Sequence, residues 1–213
     1  MAVPQENPGV IQMHKRKSFA NDPFVAKLSH VYAFLHTLTD FPSDELVTPL
    51  TRSFIQSLLA ELSHQGLNIP DPFILFPNLS FSELAQAYTG LFISAVPRVP
   101  APPYASIYSG GDSSLCGRGL VEAEAFYRSA GFYPRCGAEP ADHLSCELAF
   151  LAHLAAKGAW DMEEDFLKRH FRPWFRVFRG RLGRADPHPF YSMTMDLVNF
   201  FTMPETQEPE NYR

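Results

Sequence analysis

Apolar side chains recur along this chain at helical spacing, and nowhere do they alternate in twos over a run long enough for a strand. Across 43–64 the residues Leu46, Leu50, Phe54, Leu58 and Leu62 return every four positions, with Val47, Ile55 and Leu59 filling the adjoining row. That stripe predicts a helix packed on a core. Ser43, Asp44 and Glu45 supply an N-cap and an acidic first turn, and Gly66 supplies the stop. Further helices are predicted over 23–38, 80–93, 119–130, 140–157, 162–178 and 189–203, each bracketed by proline, glycine or a polar cap. The 19 prolines fall mostly between these segments or in their first turns, where a missing N–H costs nothing. The expected fold class is all-α: a single-domain helical bundle over 21–213, behind a loosely ordered leader at 1–20.

One stretch breaks the rhythm. AVPRVPAPPYASIY (95–108) carries four prolines and runs into Gly110-Gly111, too proline-rich for a helix. It predicts a hinge between two helical halves, spanning about 95–118, or a functional loop laid across the surface.

Composition narrows the picture. The 213 residues, 46% of them apolar, bury a full core without a metal or disulfide staple. A net charge of −5 supplies no basic excess for phosphate, so nucleic acid is not the expected partner. Cys116, Cys136 and Cys146 are odd in number and lack CxxC spacing, which reads as free thiols in a reducing compartment. A short basic run, Lys15 to Lys17, has no apolar signal core behind it, and no stretch of about 18 apolar residues occurs, so a cytoplasmic location without stable membrane insertion is expected.

Enzyme signatures are missing. The chain has no GxSxG, HExxH or GxGxxG, and SGGDSS (109–114) lacks the lysine of a phosphate loop, which leaves its glycines a turn. EPADH (139–143) is sharper. Pro140 near a first turn, with Glu139 and Asp142 at the positive end of a helix dipole, describes a helix start. His143 then sits in that first turn, where the dipole disfavours its cation, and a neutral imidazole beside a carboxylate offers a contact for a peptide backbone or an arginine. Asp142 and His143 as a hydrolytic or nucleotide-handling pair are the alternative, but neighbours on a helix point about 100° apart and need a distant partner. A metal held by Cys136, His143 and Cys146 lacks a fourth ligand, so neither metal nor cofactor is expected. Leu84, Tyr88, Leu91 and Phe92 have ordinary core spacing, and the basic residues from Lys168 to Arg184, interleaved with Phe171, Trp174, Phe175 and Phe178, describe an amphipathic helix with a solvated positive face.

In order, AYTGLF (87–92), PAPPYASIY (100–108), Gly117, EPADH (139–143), HFRPWF (170–175) and HPFY (188–191) resemble the TorD/DmsD family of redox-enzyme maturation chaperones, over roughly 24–203. The resemblance implies a TorD-like all-α fold and a cytoplasmic chaperone, not an enzyme. Its implied partner is the twin-arginine signal peptide of an apo-molybdopterin oxidoreductase of the dimethyl-sulfoxide or trimethylamine-N-oxide reductase type, held back from export while the cofactor is inserted. Carried over by position, the peptide site comprises Tyr88, Leu91 and Phe92, then Gly117, then Glu139, Pro140, Asp142 and His143, with Tyr104 and Ser106 shaping the same region. Tyr88 departs from relatives that carry tryptophan there. The family also implies a monomer or a domain-swapped dimer, the proline loop being the exchange hinge; a generic helical dimerisation scaffold is the blander alternative. Independently, a peptide bearing two guanidiniums and an apolar run needs carboxylates beside an apolar groove.

Overall fold

The computed structural model describes residues 23–64, 66–109, 117–134 and 139–203, so the leader at 1–20, Cys116 and Cys136 lie outside the described residues. Helices α1 (Pro23–Thr39), α2 (Pro49–His64), α3 (Phe81–Tyr88), α4 (Arg118–Ala130), α5 (Leu144–Ala156), α6 (Trp160–Phe166), α7 (Arg172–Gly183) and α8 (Pro189–Thr202) build the molecule. No strand forms among the described residues, and none of their helices is long and apolar enough to cross a membrane.

The central pair is α1 against α5. Helix α5, LSCELAFLAHLAA, is apolar on nearly every side and is buried almost throughout, with Leu148, Phe150 and Leu151 fully inside. A helix of that composition has no face for water and must be enclosed. Around it stands an aromatic core of Tyr32, Phe166, Phe171, Trp174, Phe175, Phe178, Phe190 and Tyr191. Two helices are interrupted by π-turns, Thr89–Ile93 after α3 and Leu167–Phe171 between α6 and α7. Each inserts an extra residue per turn and re-aims the side chains that follow, a device common near functional positions.

Helix boundaries follow local chemistry. Ser80 caps α3 with a capping box closed by Glu83, and Gly131 ends α4 at a φ of 64° that a side chain would resist. The segment expected as one helix over 43–64 is divided. Asp44–Val47 is a 3₁₀ turn without a side-chain cap from Ser43, and α2 begins only at Pro49, which cannot donate to continue the turn before it.

The four-residue stripe is also corrected. Ile55, Leu59 and Leu62 are buried, whereas Leu50 is 81% and Phe54 52% exposed. Four residues advance a 3.6-residue helix by about 40° past a full turn, so a strict i+4 row spirals off the buried face.

The proline loop (95–109) is not slack. Ala101 and Ala105 are buried, Ala101 N donates to Leu91 O at 3.0 Å, and the Arg181 guanidinium donates to Pro100 O and Val99 O at 2.5 and 3.0 Å. Cys146, fully buried on α5, is disulfide-bonded, which corrects the expectation of a free thiol. Odd count and missing CxxC spacing say nothing about cysteines brought together from distant parts of the chain.

Candidate functional site

EPADH does not open α5 as expected. His143 N donates to Pro140 O at 3.0 Å in a turn over 140–143, and the helix starts at Leu144 with His143 as its N-cap. The His143 Nδ1 accepts from Ser145 N at 3.2 Å and lies 2.8 Å from Ser145 Oγ. Accepting an N–H requires a free lone pair on Nδ1, so the ring works as a neutral cap. Burial pushes its pKa down, outweighing the pull of Glu139, Asp40 and Asp142.

The same turn pairs with the proline loop in one isolated antiparallel bridge, Tyr104 opposite His143. Ala105 N donates to Asp142 O at 3.0 Å, and Leu144 N, an otherwise orphaned helix donor, reaches Pro103 O at 2.9 Å. Behind the bridge is a buried joint. Asp142, 1% exposed, accepts on Oδ2 from Ser106 N at 2.8 Å and from Ser106 Oγ, which in turn accepts from Leu120 N at 3.2 Å. Tyr127 donates to Ala141 O at 2.7 Å. A Cβ on Gly119 would fall 2.5 Å from Ser106 N and 2.7 Å from the Ala105 carbonyl carbon, so only glycine lets α4 approach the loop. The close approach thus belongs to Gly119; Gly117, singled out in the sequence, is the half-buried residue preceding α4, with ordinary backbone angles.

In front of the bridge is an acidic lip. Glu139 is exposed, and its Oε2 accepts from Tyr104 Oη at 2.6 Å while the Tyr104 ring meets His143 edge-on at 5.0 Å. Tyr88 is the last residue of α3 and is buried. Its hydroxyl donates to Thr39 O at 3.4 Å, and its ring lies edge-on to Phe41 at 5.4 Å and Phe92 at 4.9 Å. Burial and then the negative charges of Asp40 and Glu139 push the Tyr88 phenol well above its usual value. The Tyr88 contacts with Thr39 and Phe41 join the end of α3 to the end of α1, and His36 Nδ1, 2.8 Å from Ser145 O, joins α1 to the start of α5 beside the EPADH turn.

Leu91 and Phe92 lie in the π-turn and are buried, Phe92 against Tyr191 and Phe178. The apolar side chain standing open beside the acids is Phe41, 50% exposed. Asp40 and Phe41 were not singled out by sequence reasoning. A signal was present, since a carboxylate at a helix C-terminus works against the dipole and asks for another reason to be there.

HFRPWF supplies a second, buried centre. His170, in the π-turn before α7, places Nε2 2.7 Å from Glu147 Oε1, and Trp174 Nε1 donates to Glu147 Oε2 at 3.0 Å. His170 Nδ1 lies 3.5 Å from Glu122, which pairs with the exposed Arg118 at 2.6 Å. Burial alone would lower the His170 pKa, but Glu147 and Glu122 hold it raised.

Beyond this geometry, the family model for the nitrate reductase delta subunit matches residues 44–179. The chain belongs to the nitrate reductase delta subunit family, the TorD/DmsD chaperones among it. Among relatives of this family, a chaperone protein TorD from Shewanella piezotolerans is 27% identical over 182 residues, covering 78% of this chain and 80% of its own. A Tat proofreading chaperone DmsD from Salmonella paratyphi A is 30% identical over 119 residues, 55% and 58% of the two chains. A crystal structure described as a redox enzyme maturation protein of Archaeoglobus fulgidus shares the fold at a TM-score of 0.55 and 24% identity, over 81% of this chain and 92% of that one. TorD/DmsD membership makes the chain a redox-enzyme maturation chaperone and not an enzyme, so the hydrolase alternative falls. The geometry agrees, because Asp142 is engaged by Ser106 and His143 Nδ1 by Ser145.

Proposed function

We propose that this chaperone holds the twin-arginine signal peptide of a molybdopterin oxidoreductase, of the dimethyl-sulfoxide or trimethylamine-N-oxide reductase type, in the cytoplasm while the cofactor is inserted. The observation carrying the proposal is the exposed Glu139 held by Tyr104 against His143, together with the α1 end where Asp40 precedes Phe41, exposed and edge-on to Tyr88. Adjacent guanidiniums need carboxylates, and the apolar run that follows needs an aromatic wall. The printed name of the DmsD relative, a Tat proofreading chaperone, points the same way.

Burying on the order of 500 Å² of apolar peptide contributes about 12 kcal/mol gross. Association and ordering of the peptide offset roughly 4–15 kcal/mol of that, which leaves a moderate affinity suited to release. The test is titration of a synthetic twin-arginine peptide into the wild type and the Asp40→Asn/Glu139→Gln double variant. The variant loses about tenfold in affinity at low salt and less at high salt. Equal affinities in two chains with the same circular dichroism would remove the acidic lip from the mechanism.

A further inference from the structure

Between α7 and α8 lies a groove of about 630 Å³, lined by no residue of the proposed signal-peptide site. Arg176, Arg179 and Gly180, at helical spacing, stand on one wall, and Met195 and Asp196 on the other. Leu182 and Met195 are buried at its base and Met203 is half-buried, so the floor is apolar. Gly180 lies inside α7, where glycine weakens a helix, yet a Cβ there would meet nothing within 4 Å. No neighbour in the described chain therefore requires that glycine, and its effect is to keep the groove open. Seven of the 18 lysines and arginines fall within 168–184, in a chain of net charge −5. Arg169 and Arg172 pair with Asp165 and Glu164, Arg179 with Asp196 across the groove at 2.6 Å, and Arg181 donates to the proline loop. Lys168 and Arg184 do not line the groove. Arg176 does, exposed, and forms no hydrogen bond or ion pair among the described residues.

We propose that this groove docks an acidic amphipathic helix of a protein partner, with apolar side chains on Leu182, Met195 and Met203 and a carboxylate on Arg176. The slot is long enough. From Arg176 to Gly183 it follows α7 for roughly 10 Å, and from Ser192 to Met203 it follows α8 for roughly 16 Å at about 1.5 Å per residue, which matches roughly two to three turns of a partner helix. Its charge is positive but sparse: two guanidiniums face the one carboxylate of Asp196, which Arg179 already pairs, so Arg176 alone is left to be matched. A phosphate backbone needs a row of unpaired cations, which this wall lacks. A side-chain carboxylate instead meets a single planar guanidinium in two parallel hydrogen bonds. The methionines of the floor adapt to the side chains of a helix laid in the groove. The inference does not rest on the signal-peptide reading, and the two surfaces sort partners by sign: arginines of a leader are repelled here by Arg176 and attracted elsewhere by Glu139.

The experiment follows the fluorescence anisotropy of a labelled amphipathic peptide of about 14 residues, leucine along one face and glutamate at its edges, titrated with the full chain. The wild type binds it, Arg176→Glu weakens binding about tenfold at low salt and less at high salt, and Gly180→Leu, which fills the groove, abolishes it. Both variants keep the circular dichroism of the wild type, Arg176 being exposed and the new side chain at 180 entering open space. Where Gly180→Leu misfolds, Arg176→Glu decides alone. A version of the peptide with lysine for glutamate reverses the order of wild type and Arg176→Glu. No binding to the wild type, or equal affinity in all three chains, overturns the proposal. Loss in Gly180→Leu with Arg176→Glu unaffected overturns the acidic partner. Displacement by inorganic phosphate beyond that by chloride of equal ionic strength assigns the groove to a small anion, and a mass that rises with protein concentration in the wild type but not in Arg176→Glu assigns it to a second copy. Either result overturns the partner helix.

Discussion

Two histidines are buried within a few turns of each other around α5, and their environments drive them in opposite directions. His143 caps the helix with a lone pair, and burial keeps it neutral despite three carboxylates in its surroundings. His170 is just as enclosed, yet Glu147 at 2.7 Å and Glu122 at 3.5 Å hold its proton. Burial sets the default and a direct carboxylate contact reverses it. The comparison also separates two jobs: the His143 end belongs to the proposed peptide patch, whereas the His170 centre ties α4, α5 and α7 into one body.

The largest effect belongs to the second job. Glu147 is fully buried and serves both His170 and Trp174, so Glu147→Ala strands an imidazole and an indole N–H in the core. Removal of one member of a buried pair destabilises by about 3–5 kcal/mol. Urea titration should show a lower midpoint at unchanged slope. An unaltered midpoint would mean that the contact carries no net energy and that His170 is not held by it.

Gly119→Ala comes next. Its Cβ must displace Ser106 or Ala105 backbone, an overpacking cost of about 1–3 kcal/mol. Gly180→Ala, on α7, adds a Cβ that meets nothing within 4 Å, so it should not destabilise. Equal effects from the two alanines would remove the close approach from the account.

Within the predicted peptide site, Asp142 and Glu139 should part company. Asp142→Asn weakens the charge-assisted joint to Ser106, costing about 1.5–3 kcal/mol of stability and loosening the bridge behind Tyr104. Glu139→Gln leaves stability within about 0.5 kcal/mol, because Glu139 is exposed, yet lowers peptide affinity. Thermal melts and peptide titrations on both variants separate support from contact. A Glu139 variant that melts early while binding normally would reverse the assignment.

How much of this was legible follows from the range of each interaction. Helix positions came through because apolar periodicity and Pro/Gly punctuation are local. The split at Pro49 was visible in principle, since the proline stood in plain sight inside the apolar stripe. EPADH was recognised as a site motif, but its division of labour was not: a sequence shows Glu139 and Asp142 as two acids three apart, and only the fold exposes one and buries the other under Ser106. Asp40 and Gly119 act through partners about 100 residues and 13 residues away in the chain, respectively His143 and Ser106, which no periodicity reports. Glu147 read as an ordinary helical glutamate because its need for His170 lies 23 residues on.

The smallest effect tests the opening comparison most directly. His170 has a folded pKa above its ordinary 6.5, so the native state keeps a proton that the unfolded chain releases. Its stabilisation is present in full below about pH 6.5 and is lost as pH rises through the raised native value. Glu147, also raised by burial against His170 and Trp174, acts with the same sign. His143 has the opposite sign: its folded pKa lies below 6.5, so its contribution is present above that pH and is lost as pH falls through the lowered value. Each unit of difference is worth about 1.4 kcal/mol, giving the wild type a stability profile that declines on both sides of about pH 6.5. Urea midpoints across pH 5 to 8.5 should lose the alkaline decline in His170→Gln/Glu147→Gln, which removes both groups of that sign, and should show a weaker acid decline in His143→Asn, where His188 keeps its own lowered pKa, each variant being compared with itself across pH. If His170→Gln/Glu147→Gln retains the alkaline decline, this centre binds no proton more tightly in the folded chain, and the reversal of burial by Glu147 and Glu122 is gone.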